Sequence, residues 1–210
     1  RYQGQPAGKN LQAFLKNELR LLDAGKDLLK SDPRDIVLYG FGRIGRMLAR
    51  ILIERSGGGD KWRLRAIVVH RKTENDLEKR ASLLRRDSIH GPFKGTVQLD
   101  RDENALVVNG NLIRILYAES PEKIDYVKHG IENAIVVDNT GVWRDRAGLA
   151  MHLKARGADK VILTAPGKGD IPNIIYGVNN DAICPEENLF SAGSCTTNAI
   201  VPVLHVMHGR

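Results

Sequence analysis

Short runs of apolar residues recur from residue 35 onward, and a helical or polar segment follows each run. The runs lie at 35–40, 64–70, 133–138, 160–166 and 188–194. Several are apolar without alternation, which is typical of parallel strands covered on both faces. Segments with helical spacing lie between them, at 43–55, 76–86 and 146–156. Strands that alternate with helices predict an α/β fold with a doubly wound parallel sheet.

One stretch departs from this rhythm. Residues 95–117 contain alternating apolar runs on either side of the dipeptide Asn109-Gly110. Asn-Gly favours a two-residue hairpin turn, because both central residues of a type I′ turn need a positive φ. The pattern predicts an antiparallel insertion within the α/β domain.

The first residues of the chain have a different pattern. Residues 1–9 are polar with Gly and Pro, and residues 10–30 carry apolar side chains at roughly helical spacing. Asn10 can cap the start of such a helix, and the segment at 31–35 breaks it. We expect one amphipathic helix before the first strand.

A glycine-rich turn joins the first predicted strand to the first helix. Gly40, Gly42 and Gly45 have the spacing G-x-G-x-x-G, and this position between strand and helix is the context that the motif needs. Gly40 permits the tight turn, Gly42 lets backbone approach a pyrophosphate, and Gly45 lets helix and strand pack closely. A dinucleotide phosphate would then lie at the helix N-terminus. A purely structural turn stays open as the alternative.

The end of the second strand bears on which dinucleotide binds. A site for NAD usually has an acidic residue there that binds the ribose 2′-hydroxyl. In this chain the strand ends in His70, Arg71 and Lys72. Because basic side chains pair with phosphate, Arg71 and Lys72 favour NADP over NAD. The alternative is that both face solvent while other groups hold the ribose.

Cys195 follows the last predicted strand and precedes a segment that can begin a helix. A helix N-terminus favours the thiolate form of a cysteine, which is the nucleophilic form. Ser194, Thr196 and Thr197 add hydroxyls that can cap the helix or bind an anion. From the residues alone, a reactive and a structural role for Cys195 both stay open. Cys184 has no such setting.

Composition narrows the class of protein. The 210 residues are 42% hydrophobic and carry a net charge of +7, which indicates either anionic partners or a solvated basic surface. Aromatic residues make up only 5% and do not alternate with the basic ones, so a stacking surface for nucleic acid is not expected. No apolar run approaches the roughly 20 residues of a membrane span. Two cysteines form no disulfide framework, so we expect a cytoplasmic location.

Several motifs, taken in order and spacing, resemble those of phosphorylating glyceraldehyde-3-phosphate dehydrogenases. They are YGFGRIGR, DSIHGPFKGTV, NGNLIRI, DNTGVW, LTAPGKG and SCTTNAIVP, and the resemblance covers residues 35–210. It implies a Rossmann-type dinucleotide-binding domain with a hairpin insertion, followed by the start of an α+β catalytic domain. The expected domains are an N-terminal extension at 1–34, the dinucleotide-binding domain at 35–193 and the start of the catalytic domain at 194–210.

The resemblance also implies roles for individual residues. Cys195 matches the catalytic nucleophile, and Ser194 and Thr196 match residues that bind the attacking phosphate. Asn198 matches an asparagine whose role we expect to be structural. The implied cofactor contacts are the glycine turn with Phe41, Arg43 and Ile44, the strand-end pair Thr140 and Gly141, and Thr164 with Ala165 near the nicotinamide.

Three departures from the family pattern stand out. The usual Asn-Asp pair after the second strand is absent, and Glu119 stands where the family often has a basic residue near the adenine. The family's catalytic histidine comes some tens of residues after the cysteine. We therefore expect this histidine and most of the catalytic domain to lie beyond residue 210.

The expected activity is the oxidation of glyceraldehyde 3-phosphate with inorganic phosphate and NAD or NADP, in glycolysis or gluconeogenesis, by a homotetramer. No metal site and no membrane partner are expected. The alternatives are an erythrose-4-phosphate dehydrogenase and a relative that binds cofactor or nucleic acid without turnover.

Overall fold

The structure, a computed structural model, describes residues 33–56, 61–70 and 74–209. The predicted helix at 10–30 lies outside these residues. Six strands form the parallel part of the sheet, namely β1 (Arg34–Tyr39), β2 (Trp62–Val69), β7 (Asn111–Tyr117), β8 (Ala134–Asp138), β9 (Ala158–Leu163) and β10 (Leu189–Ser191). Two more, β5 (Val97–Asp100) and β6 (Ala105–Val108), complete it. All five predicted strands are confirmed.

The strand order of the sheet is β10-β9-β8-β1-β2-β7-β6-β5. Strand β1 lies in the interior and pairs in parallel with both β2 and β8. The chain therefore winds outward from β1 in one direction and then returns to build the other half beside β8. This reversal creates a crevice between the carboxyl ends of β1 and β8, where doubly wound sheets bind their ligands. The doubly wound parallel sheet is confirmed.

The antiparallel insertion is also confirmed. Val108 pairs with Asn111 across a two-residue turn, and Asn109 and Gly110 have φ of 49° and 83°. Both values are positive, as the type I′ turn requires. Strand β7 also pairs in parallel with β2, so the hairpin extends the main sheet and does not form a separate layer. A small second sheet consists of β3 (Arg86–Asp87) and β4 (Gly91–Pro92).

Alternate residues of β1 face opposite sides of the sheet, and both sides are covered. Ile36 and Leu38 pack with helix α1 (Arg43–Arg55) and helix α2 (Asp76–Arg85). Val37 and Tyr39 pack with the segment that contains Tyr126. Burial on both faces explains why this run is apolar without alternation.

Two further helices flank the second half of the sheet. Helix α3 (Arg146–Leu153) packs on β9 and β10 through Leu149. It ends three residues before the predicted 156, and Gly157, with φ of 95°, leads the chain into β9. Helix α4 (Cys195–His208) follows β10. The domain boundary expected between residues 193 and 194 stays a prediction.

Helix α4 and the neighbouring sheet face present apolar groups to solvent. Ile135, Ile162 and Phe190 line an open cleft beside β8, β9 and β10. The large apolar side chains of α4 that are exposed are Ile200, Val203, Leu204, Val206 and Met207. An exposed apolar area of this kind is typical of a surface that contacts more protein.

Arg50 joins the two helices that cover the first half of the sheet. Arg50 belongs to α1, and its side chain is buried. Its Nε and Nη2 donate to Leu84 O at 3.0 and 2.7 Å. Nη1 donates to Gly91 O at 2.9 Å, and the guanidinium lies 5.9 Å from the centre of the Phe93 ring. Leu84 lies in the last turn of α2, where a cation is favoured by the helix dipole.

Arg50→Met is expected to lower the free energy of unfolding by about 2–3 kcal/mol, since it leaves two carbonyl groups without their donors. Urea denaturation measures the loss. Arg55→Met is the control, because Arg55 is exposed at the end of the same helix. Equal stability of Arg50→Met and the unchanged chain would contradict this account.

Candidate functional site

The glycine turn lies between β1 and α1. Gly40 has φ of 93°, and its N–H donates to Val68 O at 2.9 Å. A Cβ on Gly40 would stand 2.8 Å from Cγ2 of Thr140. The position therefore needs glycine for two reasons, a left-handed backbone and the close approach of the β8 end.

The two other glycines of the motif differ in what surrounds them. A Cβ on Gly45 would collide with Gly40 O, so this residue lets α1 start directly above the turn. A Cβ on Gly42 would meet no described atom within 4 Å, and its φ of −71° suits any residue. Gly42 is therefore not required by packing or backbone strain. It keeps open the space in front of the helix N-terminus.

The start of α1 is suited to an anion. Gly42 is the N-cap residue and provides no side-chain hydrogen bond to the first turn, which contains no acidic residue. The N–H groups and the positive end of the helix dipole therefore face this space. Phe41 is buried in the core, whereas Arg43 and Ile44 are exposed at the first two helical positions.

Asp138 organises the end of β8. Its carboxylate is fully buried, and Oδ1 accepts from Thr140 N at 2.6 Å and from Thr140 Oγ1 at 2.7 Å. His152 Nε2, also fully buried, lies 3.1 Å from Oδ2. Because a carboxylate only accepts, this contact places the imidazole proton on Nε2. Neither Asp138 nor His152 was predicted as a site residue from the sequence.

Aromatic rings surround His152, the partner of this carboxylate. The rings of Tyr39 and Trp143 stand edge-on to His152, with centroids 4.7 and 5.7 Å away. Burial, and then the negative charge of Asp138, raises the pKa of Tyr39 to about 12. The tyrosine therefore stays neutral at physiological pH.

Three loops meet at the carboxyl ends of β1, β8 and β9. Asn139 Nδ2 donates to Val137 O at 3.0 Å and to Gly40 O at 3.5 Å, which connects the glycine turn to the β8 end. Thr164 donates to Asp138 O from N at 2.9 Å and from Oγ1 at 3.1 Å. The structure therefore brings Thr140 and Thr164 together with the glycine turn.

Ser191 extends this assembly toward the cysteine. Its buried Oγ lies 2.8 Å from Ala165 O and 2.7 Å from Asn173 Oδ1, and it accepts from Gly193 N at 3.0 Å. Gly141 also lies beside Ala165, because a Cβ on this glycine would be 3.8 Å from the Ala165 Cβ. Contacts therefore run from the glycine turn to the residue two positions before Cys195.

Cys195 is the first residue of α4, and it is exposed. Ser194 caps the helix, since its Oγ accepts from Thr197 N at 3.0 Å. Thr196 Oγ1 lies 4.0 Å from Cys195 Sγ. Asn198 Nδ2 donates to Ala192 O at 2.7 Å and to Ser194 O, so it supports the turn that presents the cysteine.

The end of β2 lies beside the glycine turn. Arg71 and Lys72, which favour NADP in the sequence analysis, lie outside the described residues. A cleft of about 220 Å³ is lined there by residues that include Gly40, Gly42, His70 and Arg80. Arg80 is a further residue that the sequence analysis did not select. Glu119 is exposed and pairs with Lys123 at 2.8 Å.

The missed residues differ in how far the sequence could have indicated them. Asp138 and Asn139 directly follow an apolar strand, and polar residues at a strand end are a usable signal. His152 and Ser191 sit within apolar segments, and nothing local indicates their partners. Within the described ranges, no helix is both long and apolar enough to span a bilayer. No group of three or more His, Cys, Asp or Glu residues in the same ranges is arranged to hold a metal ion.

Comparison with known proteins places this site in a family. Residues 34–146 match the family model described as the NAD-binding domain of glyceraldehyde 3-phosphate dehydrogenase. A glyceraldehyde-3-phosphate dehydrogenase-like protein of Pseudomonas aeruginosa is 54% identical over 210 residues, which are 100% of this chain and 46% of that protein.

Two other relatives are named glyceraldehyde-3-phosphate dehydrogenases. That of Thermotoga maritima is 38% identical over 83% of this chain and 49% of its own length. The chloroplastic A form of Zea mays is 38% identical over 82% of this chain and 40% of its own length. The chain thus spans about half the length of the curated relatives it matches.

Gly45→Ala is expected to destabilise the fold by about 1–3 kcal/mol, because the added methyl collides with backbone that the sheet holds in place. Gly42→Ala should cost less than about 1 kcal/mol, since its methyl enters open space at an ordinary φ. Thermal and urea unfolding of the two variants test this contrast. Similar losses in both would show that the turn does not have this geometry.

Proposed function

Because this chain belongs to the glyceraldehyde-3-phosphate dehydrogenase family, we propose that it contributes the cofactor site and the nucleophile of a phosphorylating aldehyde dehydrogenase. The chain contains the family's NAD-binding Rossmann domain, which makes it part of an oxidoreductase of this type. The proposed reaction converts glyceraldehyde 3-phosphate and inorganic phosphate to 1,3-bisphosphoglycerate, with reduction of NAD or NADP. The main support is that the exposed Cys195 and the glycine turn lie at the same edge of the sheet.

The proposed cofactor site extends along this edge. The backbone of Gly42, Arg43 and Ile44 would bind the pyrophosphate, since their N–H groups begin helix α1 beside open space. Thr140 and Gly141 would lie beside the ribose that carries the nicotinamide. Thr164 and Ala165 would position the nicotinamide ring, which accepts the hydride when the cofactor is bound.

Cys195 would act as the nucleophile. Its thiolate adds to the aldehyde carbon and forms a thiohemiacetal, with a new C–S bond and an alkoxide that takes a proton. Loss of that hydroxyl proton and of hydride from the same carbon leaves a thioester on Cys195. Inorganic phosphate then attacks the thioester carbonyl, the C–S bond breaks, and the acyl phosphate leaves with the thiolate restored.

The residues around Cys195 have separate parts in this proposal. The N-terminus of α4, where Cys195 lies, favours the oxygen charge that develops in each addition. The exposed hydroxyl of Thr196, together with Ser194, would bind the attacking phosphate. Ser194 also caps the helix, so its substitution should affect both the position of the cysteine and phosphate binding.

Arg71 and Lys72 support NADP as the cofactor, because they follow β2 where a site for NAD usually has an acidic residue. Homotetrameric assembly and a cytoplasmic location stay predictions.

Cys195→Ser is expected to lower the rate of aldehyde oxidation by the intact protein on the order of 10³-fold or more, since an alcohol is a far weaker nucleophile. Initial rates of NADH and NADPH formation with glyceraldehyde 3-phosphate and phosphate provide the measurement. Cys184→Ser is the matched control, because Cys184 is the other exposed cysteine and bonds to Glu186. It should keep full activity.

The same assay separates the alternatives. Nearly full activity of Cys195→Ser would refute the assignment of Cys195 as the nucleophile. Preferential oxidation of erythrose 4-phosphate would identify that aldehyde as the substrate in place of glyceraldehyde 3-phosphate. Absence of turnover, with dinucleotide binding retained, would leave a binding protein.

Gly42→Ala is expected to weaken NAD and NADP binding on the order of tenfold, because its methyl occupies the space proposed for the pyrophosphate. Isothermal titration of the chain with each dinucleotide measures the effect without turnover. Gly209→Ala is the control, since Gly209 caps the far end of α4 at φ of −80°. Unchanged affinity in Gly42→Ala would place the phosphates elsewhere.

A further inference from the structure

The cleft at the end of β2 combines positive charge with the edge of the glycine turn. Val69 and His70 line it from the strand, Gly40 and Gly42 from the turn, and Arg80 from helix α2. Among the described residues that line it, none is an aspartate or glutamate. A site that recognises the unmodified ribose by its hydroxyls usually has such a carboxylate as the acceptor. The described wall of this cleft offers a cation there.

Asp76 holds the guanidinium of Arg80 in one orientation. Arg80 Nε donates to Asp76 Oδ2 at 3.1 Å, and Nη2 donates to Asp76 Oδ1 at 3.0 Å. Nη2 also lies 3.4 Å from His70 O, which ties the arginine to the end of β2. The two parallel bonds restrict rotation of the planar group, so little further ordering is needed when an anion binds.

Asp76 and Arg80 differ in their access to the cleft. Asp76 is 1% exposed and does not line the cleft. Its carboxylate therefore accepts from Arg80 and is not accessible to a ligand in the cleft. Arg80 is 9% exposed and does line it. Within the described residues, its contacts with Asp76 and His70 use Nε and Nη2, which leaves Nη1 for another acceptor.

The chemistry of the ligand follows from this arrangement. Adenosine ribose enters the cleft either with a free 2′-hydroxyl, as in NAD, or with a 2′-phosphate, as in NADP. A phosphate is an anionic acceptor with several oxygens, which suits a preoriented guanidinium, whereas a hydroxyl gains little from it. Next to Arg80, the phosphate also avoids the like-charge repulsion that a carboxylate in the cleft would impose.

We propose that Arg80, oriented by Asp76, is a specificity-determining residue that makes this cleft prefer the 2′-phosphorylated ribose of NADP. The inference rests on the proposed function, because it assumes that a dinucleotide binds along the glycine turn. Arg80 is separate from Arg71 and Lys72, the residues whose sequence position favours NADP, and none of residues 71–73 is used here. The competing explanation is that Arg80 only fastens α2 to the end of β2.

Direct binding separates these explanations without turnover. Adenosine 2′,5′-bisphosphate and AMP differ only in the 2′-phosphate, and isothermal titration of the chain with each gives a preference ratio. NADP and NAD provide a second pair with the same difference. We expect the unchanged chain to bind the 2′-phosphorylated member of each pair at least about tenfold more tightly.

The decisive variant is Asp76→Asn with Arg80→Gln, which removes both charges together and leaves no unpaired buried carboxylate. It should bring the preference ratio close to one while the affinity for AMP changes less than about threefold. Arg101→Gln is the matched control, because Arg101 pairs with Glu78 of the same helix at 2.7 Å but does not line the cleft. This control should keep the full preference.

Arg80→Lys provides a second test should the double variant fail to fold. It keeps the charge opposite Asp76 but loses the planar fork, so we expect an intermediate preference. An unchanged preference in either folded variant would overturn the proposal and assign Arg80 a structural role.

The failure of this proposal can be told apart from failure of the proposed function. Equal or tighter binding of AMP and NAD by the unchanged chain refutes the role of Arg80 and leaves the dinucleotide site intact. Absence of binding for all four ligands refutes both.

Discussion

The carboxylate of Asp138 is fully buried at the end of β8, and the candidate site depends on how this charge is satisfied. A buried ionised group is stable only when its oxygens accept good hydrogen bonds. Thr140 and His152 supply them and fix the turn that follows β8, and Asn139 Nδ2 of this turn donates to Gly40 O. The methyl of Thr140 then lies where any side chain on Gly40 would stand. The β8 side of the crevice therefore depends on the hydrogen bonds of one buried carboxylate.

The residues of the candidate site lie at one edge of the sheet because parallel strands end together. The glycine turn follows β1, Thr140 follows β8, Thr164 follows β9 and Cys195 comes four residues after β10. Ser191 and Asn139 bridge neighbouring loops, so the cofactor end and the cysteine end are parts of one hydrogen-bonded framework. The cleft that Arg80 lines continues this edge to β2. The proposed nucleophile and the proposed dinucleotide site therefore lie on one edge, as the proposed hydride transfer requires.

Much of the fold could be predicted because its signals are local. Apolar runs without alternation identified the strands, and Asn109-Gly110 identified the hairpin through the positive φ that both residues adopt. The spacing of Gly40, Gly42 and Gly45 identified the glycine turn between β1 and α1. The end of β9 differs from the prediction. The apolar run at 160–166 includes Thr164 and Ala165, whereas the strand ends at Leu163. At a strand end, the hydrogen bond that continues the ladder depends on a neighbouring strand and not on the residue itself.

The sequence by itself determined the succession of strands and helices along the chain, the glycine turn between β1 and α1 and the position of Cys195 at a helix start. These depend on residue periodicity and on backbone angles that a few neighbouring residues control. Only the tertiary structure decided that Asp138 pairs with His152, that Ser191 joins the loop of Ala165, and that Arg80 lines the cleft. The partners or surfaces in these cases come from separate segments of the chain. Their contact depends on the strand order and on which groups must be satisfied once water is excluded.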